Sequence, residues 1–502
     1  MLRKLPLYPL LFSIFPVLSL AGYNIDQISL DVIWRPLIVA LLVGAILFGV
    51  AKLIFRNWEL AALSVSVILI LFYIYGQVYN VLEDVTFRGM SLFRHRTLLP
   101  LFGMLLIAAL VLIARSHRGN RSNPSPYWLN LLSLVLLVYP VVQIVRNGLQ
   151  QWSAERALNS SYRQAVDGSN QPDIYYIILD AYGRADVLQS LLGYDNSDFL
   201  DSLRQRGFYV ADCSQANYAY TEFSLSSSLN YDYLERLNVS HSRAERIALL
   251  KHSALRSFLD ANGYEIVAFP TGWAFTEWKD ADLYVEYQRP LTSLTEFEML
   301  ILDTTMFRVA SDAQSSHQAD ASHKDLRRLR VFSLLENVKK LPQRKGKKFV
   351  FAHLVVPHLP YTFGPNGEVP AFQGKNATQE EVGAAYVDQV KFVNKEILKV
   401  IDALIQDSEV PPVIIVQGDH GPLPDLTEDP LERLPILNAY FLPGIQTDKI
   451  LYPSISPVNS FRVVLNSYFG QNLPLLEDLS YFGPEDDRNA NQLIPNSCVS
   501  AP

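Results

Sequence analysis

Asp419 and His420 stand at the end of an apolar, β-branched run, VIIVQGDHG at residues 413–421. A run of that composition bounded by glycine reads as a core strand of a parallel sheet. The carboxyl ends of such strands open onto the crevice where α/β sheets bind ligands. A carboxylate beside an imidazole there forms half of a divalent-cation site; the plain alternative is a polar turn. Three other places can supply the second half. Asp180 closes the apolar segment DIYYIILD at 173–180. An acid closing a buried strand is costly unless paired or liganded; its alternative role is to cap the next helix. Thr221 stands where a loop gives way to a small-residue helix with Ser224, Leu225, Ser228 and Leu229. A hydroxyl at a helix start sees N–H groups and the positive end of the dipole, which suits a nucleophile attacking a phosphoryl or sulfuryl centre. An ordinary Thr N-cap is the competing reading. His353 lies inside KFVFAHLVV at 348–356, and His358 follows it between Pro357 and Pro360. A strand histidine is usually a satisfied core residue, whereas one in a proline-fixed loop is a better site candidate.

Asp180, Thr221, Asp419 and His420 together make an O/O/O/N donor set, which suits one divalent ion, Zn²⁺ or Mn²⁺, with Ca²⁺ or Mg²⁺ as alternatives. A metal there would lower the pKa of the Thr hydroxyl and neutralise charge on the transferred group. His358 could bind a non-bridging oxygen or protonate the leaving group. His353 and Arg184 join it as substrate-binding candidates.

The elements that must position these residues follow from hydrophobic patterning. The chain has 502 residues, a net charge of −7, 49% hydrophobic residues and two cysteines. The apolar runs concentrate at the front. Residues 5–22, 32–55, 58–79, 97–114 and 127–145 read as about five membrane spans. The first could instead be a signal peptide, since Ala21-Gly22 follows it. With the N-terminus inside, the cytoplasmic segments hold Arg3, Lys4, Lys52, Arg56, Arg115, Arg118 and Arg121, and the outer loops hold Arg88, Arg94 and Arg96. That bias places everything after about residue 147 outside the cytoplasm. The expected organisation is a transmembrane region at 1–146, a juxtamembrane linker at 147–170, a catalytic α/β domain at 171–475 and a C-terminal tail at 476–502.

Within the catalytic domain, strands at 173–180, 207–212, 264–269, 348–356, 413–418 and 436–444 alternate with helical patterns, which argues a mainly parallel sheet. The longest helix is expected at about 378–407, where Thr378 and Glu381 have capping-box spacing. Residues 270–346 could line a substrate cleft or be an insertion without catalytic function. Cys213 and Cys498 make no disulfide framework, and the sequence leaves open whether they meet. No basic patch suited to nucleic acid is visible; the run at 344–348 reads as a solvated loop.

The order of these motifs resembles the alkaline phosphatase superfamily, within it the sulfatase-fold membrane enzymes: lipoteichoic acid synthases and lipid A phosphoethanolamine transferases. The likeness covers roughly residues 171–470. TEFS looks like the family's Thr-x-x-Ser, which implies Thr221 as covalent nucleophile and metal ligand. GDHG matches the Asp-His ligand pair, and HLVVPHLPY is similar to a His-x4-His-x-Pro pattern with His358 in the phosphate-contacting place. The chain departs from the pattern in two positions: the transferases usually carry Glu where Asp180 stands, and sulfatases a second Asp where Ala181 stands. The Cys/Ser-x-Pro-x-Arg signature that matures to formylglycine is absent, so the expected nucleophile is an unmodified Thr.

The resemblance implies a membrane-anchored, metal-dependent phosphotransferase. Thr221 would take a phospho-headgroup from a phospholipid or other ester donor and pass it to an envelope glycan or lipid. It would sit in the inner membrane with its catalytic domain periplasmic or otherwise extracytoplasmic. The alternatives are a hydrolase of sulfate or phosphate esters, and an inactive binding protein on the same fold.

Overall fold

The computed structural model describes residues 5–25, 27–83, 85–87, 90–118, 126–158, 171–237, 243–287, 294–313, 318–370, 377–484, 491–496 and 498. The second half of the expected linker, residues 159–170, lies outside the described residues. The chain divides into two compact units: Met1–Leu149 with Pro290–His323, and Gln150–Arg289 with Lys324–Pro502.

The first unit is helical: α1 (Tyr8–Tyr23), α2 (Trp34–Phe55), α3 (Trp58–Leu82), α4 (His95–Arg118) and α5 (Pro126–Leu158). Four segments, Leu30–Phe55, Trp58–Leu82, His95–Ser116 and Pro126–Gln150, are long and apolar enough to cross a membrane; α1 is apolar but shorter at 16 residues. Small residues allow close helix packing: a Cβ on Gly44 would lie 2.7 Å from the Ser13 side chain. The start of α1 has no side-chain cap of its own. Asn130 on α5 supplies one, its Oδ1 accepting from the Leu7 and Tyr8 N–H groups at 2.8 Å each.

The segment 290–323, which the sequence left between cleft wall and insertion, belongs to this helical unit. Its helix Glu296–Asp303 starts on a capping box of Thr295 and Glu298. Arg35 at the start of α2 pairs with Glu298. The Met306 N–H donates to Phe72 O on α3 at 2.9 Å, and Asp312 accepts from His95 at the start of α4 at 2.9 Å. The beginnings of α2 and α4 and the second half of α3 therefore all contact this one segment, as an up-and-down path through a bilayer requires.

The second unit is built on a seven-stranded sheet: β1 (Ile174–Leu179), β2 (Tyr209–Val210), β3 (Glu265–Ala268), β4 (Leu283–Tyr284), β5 (Lys348–Leu354), β6 (Val413–Gly418) and β7 (Asn438–Phe441). The spatial order is β2-β7-β6-β1-β5-β3-β4. β1 lies between β5 and β6, parallel to both, and β3 and β4 continue the parallel part. β7 runs antiparallel to β6 and to β2 at one edge.

Alternate side chains of each central strand enter different cores, the period of two that a sheet covered on both faces needs. Tyr175, Ile177 and Leu179 of β1 join the core that includes Val390, Val393, Ile397 and Ile401. Ile174, Tyr176 and Ile178 join the core that includes Leu225, Leu229 and Phe461. The helices that supply these residues are α6 (Thr221–Leu229), α8 (Gln379–Asp407) and α9 (Pro457–Phe469), and α7 (Gln318–Val338) adds Val331 and Leu334 to the first core. At the chain's end Ser480–Phe482 pairs with Gln492–Ile494, and Cys213 and Cys498 form a disulfide with Cα atoms 5.3 Å apart.

Candidate active site and metal centre

Register brings the predicted residues together. Leu179 pairs with Leu354 on one side and with Gly418 on the other, so β1, β5 and β6 end at one level. Asp180 and Asp419 are the next residues of β1 and β6, and His358 lies four residues past the end of β5. The glycines flanking Asp419-His420 are required by close approach. A Cβ on Gly418 would lie 2.6 Å from the Tyr182 carbonyl, and one on Gly421 would lie 2.8 Å from the carbonyls of Glu432 and Arg433.

Asp180 and Asp419 are fully buried, and each has one oxygen occupied and one bare. Asp180 Oδ2 accepts from His353 Nε2 at 3.0 Å; Asp419 Oδ1 accepts the N–H groups of Ala181 at 3.1 Å and His420 at 3.0 Å. The other two oxygens, Asp180 Oδ1 and Asp419 Oδ2, are buried without a hydrogen-bond partner. Both lie 3.7 Å from His420 Nε2. His420 donates through Nδ1 to the Gly421 carbonyl at 2.8 Å, which leaves Nε2 as the acceptor nitrogen. The Thr221 hydroxyl faces that nitrogen at 3.3 Å.

Thr221 is the first residue of α6, with Tyr220 at the N-cap, so its hydroxyl is not consumed in capping. The loop before it is tied down by Asn217, which donates to Ser456 Oγ at 3.0 Å and Leu479 O at 2.8 Å and accepts from Val458 N at 2.8 Å. Glu222, the next residue, is buried against Arg243 and Arg246. The Asn217 ties were not visible in the sequence; they join segments more than 200 residues apart.

Two buried carboxylates this close repel each other. Burial alone would raise the Asp180 carboxyl, but the His358, His353 and His420 rings outweigh it and hold it down to about 2. Burial, and then the charge on Asp180, pushes Asp419 up. Two orphaned carboxylate oxygens and an imidazole nitrogen paired with a hydroxyl converge, with no positively charged side chain hydrogen-bonded to either bare oxygen. That donor set fits a divalent cation. Among the described residues, Asp180, Asp419 and His420 are the group of acids and histidines able to hold a metal ion, their ligand atoms lying within 4.8 Å of one another.

The remaining candidates divide. His358 lies against Trp273 with ring centroids 4.8 Å apart and 6.4 Å from the His420 ring. Burial pulls its pKa down to about 4 against the attraction of Asp180. Trp273 comes from the aromatic segment after β3, so part of that segment does border the site. His353 is fully buried, with Nε2 on Asp180. Arg184 is buried too; its guanidinium donates to Asp186 at 2.7 and 2.8 Å and to the Ser214 carbonyl at 3.1 Å. Ala181 holds a positive φ of 63°. An L-residue there is strained by about 1–2 kcal/mol. The conformation is held because Ala181 N donates to Asp419 and its carbonyl accepts from Tyr386 at 2.7 Å.

A mainly parallel sheet with acids, an Asp-His pair and a helix-start hydroxyl at its strand ends defines an α/β enzyme of the alkaline phosphatase superfamily, here joined to an N-terminal membrane region. Residues 172–449, more than half of the chain, match the family model described as Sulfatase. The chain belongs to the sulfatase family. It is similar in structure to the C-terminal periplasmic domain of EptC from Escherichia coli in complex with Zn, with 14% identity over 68% of this chain and 98% of that one and a TM-score of 0.45. The integral membrane lipooligosaccharide phosphoethanolamine transferase A (EptA) from Neisseria meningitidis has 14% identity over 93% of this chain and 96% of that one, TM-score 0.41. A protein in the alkaline phosphatase superfamily from Vibrio parahaemolyticus has 13% identity over 67% and 82%, TM-score 0.40. No curated protein matches.

Proposed function

We propose that this enzyme is a metal-dependent phosphotransferase that moves a phospho-headgroup from a membrane phospholipid, through a covalent Thr221 intermediate, to a hydroxyl of an envelope glycan or lipid. One observation carries the reading: the Thr221 hydroxyl, at the start of a helix, hydrogen bonds to the His420 nitrogen that two orphaned carboxylate oxygens approach at 3.7 Å. Asp180 Oδ1, Asp419 Oδ2, His420 Nε2 and Thr221 Oγ1 would hold the ion. Each acid has only one oxygen to give, so four donors are on offer. That number suits Zn²⁺ or Mn²⁺ better than Ca²⁺, which takes about 6–8 oxygens. The bound ion supplies positive charge that acidifies the Thr221 hydroxyl and offsets charge on the phosphoryl group.

In the first half-reaction Thr221 Oγ forms a bond to phosphorus and the bond from phosphorus to the diacylglycerol oxygen breaks. The Thr221 proton ends on the diacylglycerol hydroxyl. His358 Nε2 is the nitrogen open to carry it, since Nδ1 faces the Leu359 carbonyl at 2.6 Å. In the second half-reaction an acceptor hydroxyl bonds to phosphorus, the Thr221 oxygen leaves, and the acceptor's proton returns to it. The N-terminal helices keep the domain beside its lipid donor, on the extracytoplasmic side of the cell membrane.

Intact-mass spectrometry of the full chain, incubated with vesicles of phosphatidylethanolamine or phosphatidylglycerol, tests the proposal. The expected result is a headgroup-phosphate adduct on Thr221, diacylglycerol release, and neither in Thr221→Ala. Position 221 is a helix start where alanine costs well under about 1 kcal/mol, so the variant stays folded. Turnover of the variant at the wild-type rate would sink the nucleophile assignment. Release of simple phosphate or sulfate esters without transfer would assign a hydrolase instead.

A further inference from the structure

The loop that carries His358 has no strand ladder to order it. Pro357 and Pro360 remove two backbone N–H groups, and its carbonyls are held by side chains instead. Arg327, buried on α7, donates through Nε to the Val355 carbonyl at 3.1 Å and through Nη2 to that same oxygen. Nη2 also reaches the His358 carbonyl at 3.1 Å, and Nη1 the Leu359 carbonyl at 2.5 Å. Gln389, fully buried on α8, holds the same loop from another helix. Its Nε2 donates to Pro357 O at 2.9 Å and His358 O at 3.3 Å, and its Oε1 accepts from Thr362 N at 2.8 Å. The His358 N–H donates to the Asp180 carbonyl at 3.0 Å.

One oxygen in this set matters to the chemistry. The Leu359 carbonyl accepts from Arg327 Nη1 and also from His358 Nδ1 at 2.6 Å. A proton kept on Nδ1 leaves Nε2 as the nitrogen that can exchange a proton with a reacting group. The position of Leu359 O therefore sets both the tautomer and the aim of His358. We propose that Arg327 is a positioning residue for the transfer reaction, fixing the Leu359 carbonyl so that His358 keeps one tautomer and one orientation. The inference rests on the phosphotransfer reading above and deepens it. Arginine is needed because three carbonyls are met by donors in a fixed planar fork, which a lysine ammonium cannot reproduce.

The test uses the purified full chain, with diacylglycerol release from phosphatidylethanolamine or phosphatidylglycerol vesicles as the activity readout. Arg327→Gln should lower kcat by about 10–100-fold, the usual loss when the partner of a site histidine is removed, with KM and metal content unchanged. Arg327→Lys, which keeps the stem and charge and guards against misfolding, should recover little of it. The decisive comparison is with His358→Ala. If Arg327 acts through His358, the double variant is no slower than His358→Ala alone; losses that multiply would overturn the proposal. Hydrogen exchange of the peptide spanning 355–364 reads the clamp without any turnover. It should quicken in Arg327→Gln while peptides from β1 and β6 do not change, and an unchanged rate would refute the clamp. A wild-type enzyme inactive on both vesicles and p-nitrophenyl phosphate would overturn the function, and the exchange result would still decide whether Arg327 holds the loop.

Discussion

His353 decides what Asp180 can offer a metal. With Oδ2 engaged by the imidazole at 3.0 Å, only Oδ1 faces the site. A carboxylate oriented this way binds through one oxygen and keeps its partner as an outer support. Replacing His353 by Ala should therefore weaken metal binding by about 10–100-fold. Asn or Gln, which still present an N–H, should lose less. Competition against a chromophoric chelator measures this without any assay of turnover; equal affinity in wild type and His353→Ala would exclude the role. The four candidate donors were legible as a set because three stand at strand ends and one at a helix start. The part played by His353 was not. It follows from register: His353 pairs with Ile178, and Asp180 lies two residues further along the same face of β1. No periodicity in one strand announces its neighbour.

At the scale of the element, α8 was the most readable part of the chain. Its apolar stripe and the spacing of Thr378 and Glu381 mark a start that the structure reproduces as a capping box, Thr378 Oγ1 accepting from Glu381 N at 3.3 Å. Thr378→Ala should cost about 1 kcal/mol by denaturant unfolding of the full chain and leave turnover intact, since the cap is exposed and takes no part in the site. A loss of activity larger than the loss of folded protein would place the helix start in the mechanism. The short elements were harder to read. The strand expected at 207–212 is only Tyr209–Val210, and Leu283–Tyr284 was not anticipated at all. Both are edge strands. With one neighbour and two residues each, they carry no alternation to detect. Gln389 is instructive for another reason: a buried polar residue in an apolar helix stripe signals a partner, here the carbonyls of the His358 loop.

For the molecule as a whole, the sequence pattern separated membrane helices from a catalytic sheet but could not show that residues 290–323, encoded between β4 and β5, pack with the helices. Their packing partners, Arg35, Phe72 and His95, are all more than 200 positions earlier. The cysteines were equally silent, and here the structure makes the compartment testable. Cys213 follows β2 and Cys498 lies beyond the last hairpin; their bond closes 285 residues, and Asn496 Nδ2 donating to the Cys213 carbonyl at 2.7 Å supports the junction. Such a bond persists outside the cytoplasm and is reduced within it. In growing cells, trapped with alkylating agent before lysis, the full chain should resist a thiol mass-tag until reductant is added. Tagging of both cysteines without reductant would place the catalytic unit in the cytoplasm and remove the envelope acceptor from the proposed reaction. Cys498→Ser should lower unfolding stability by about 2–4 kcal/mol. The bond lies at the edge of the sheet, past the end of β2, and neither cysteine is among the candidate donors, so the rate of diacylglycerol release below the unfolding transition should be that of the wild type; a slower rate there would show that the tail supports the site as well as the fold.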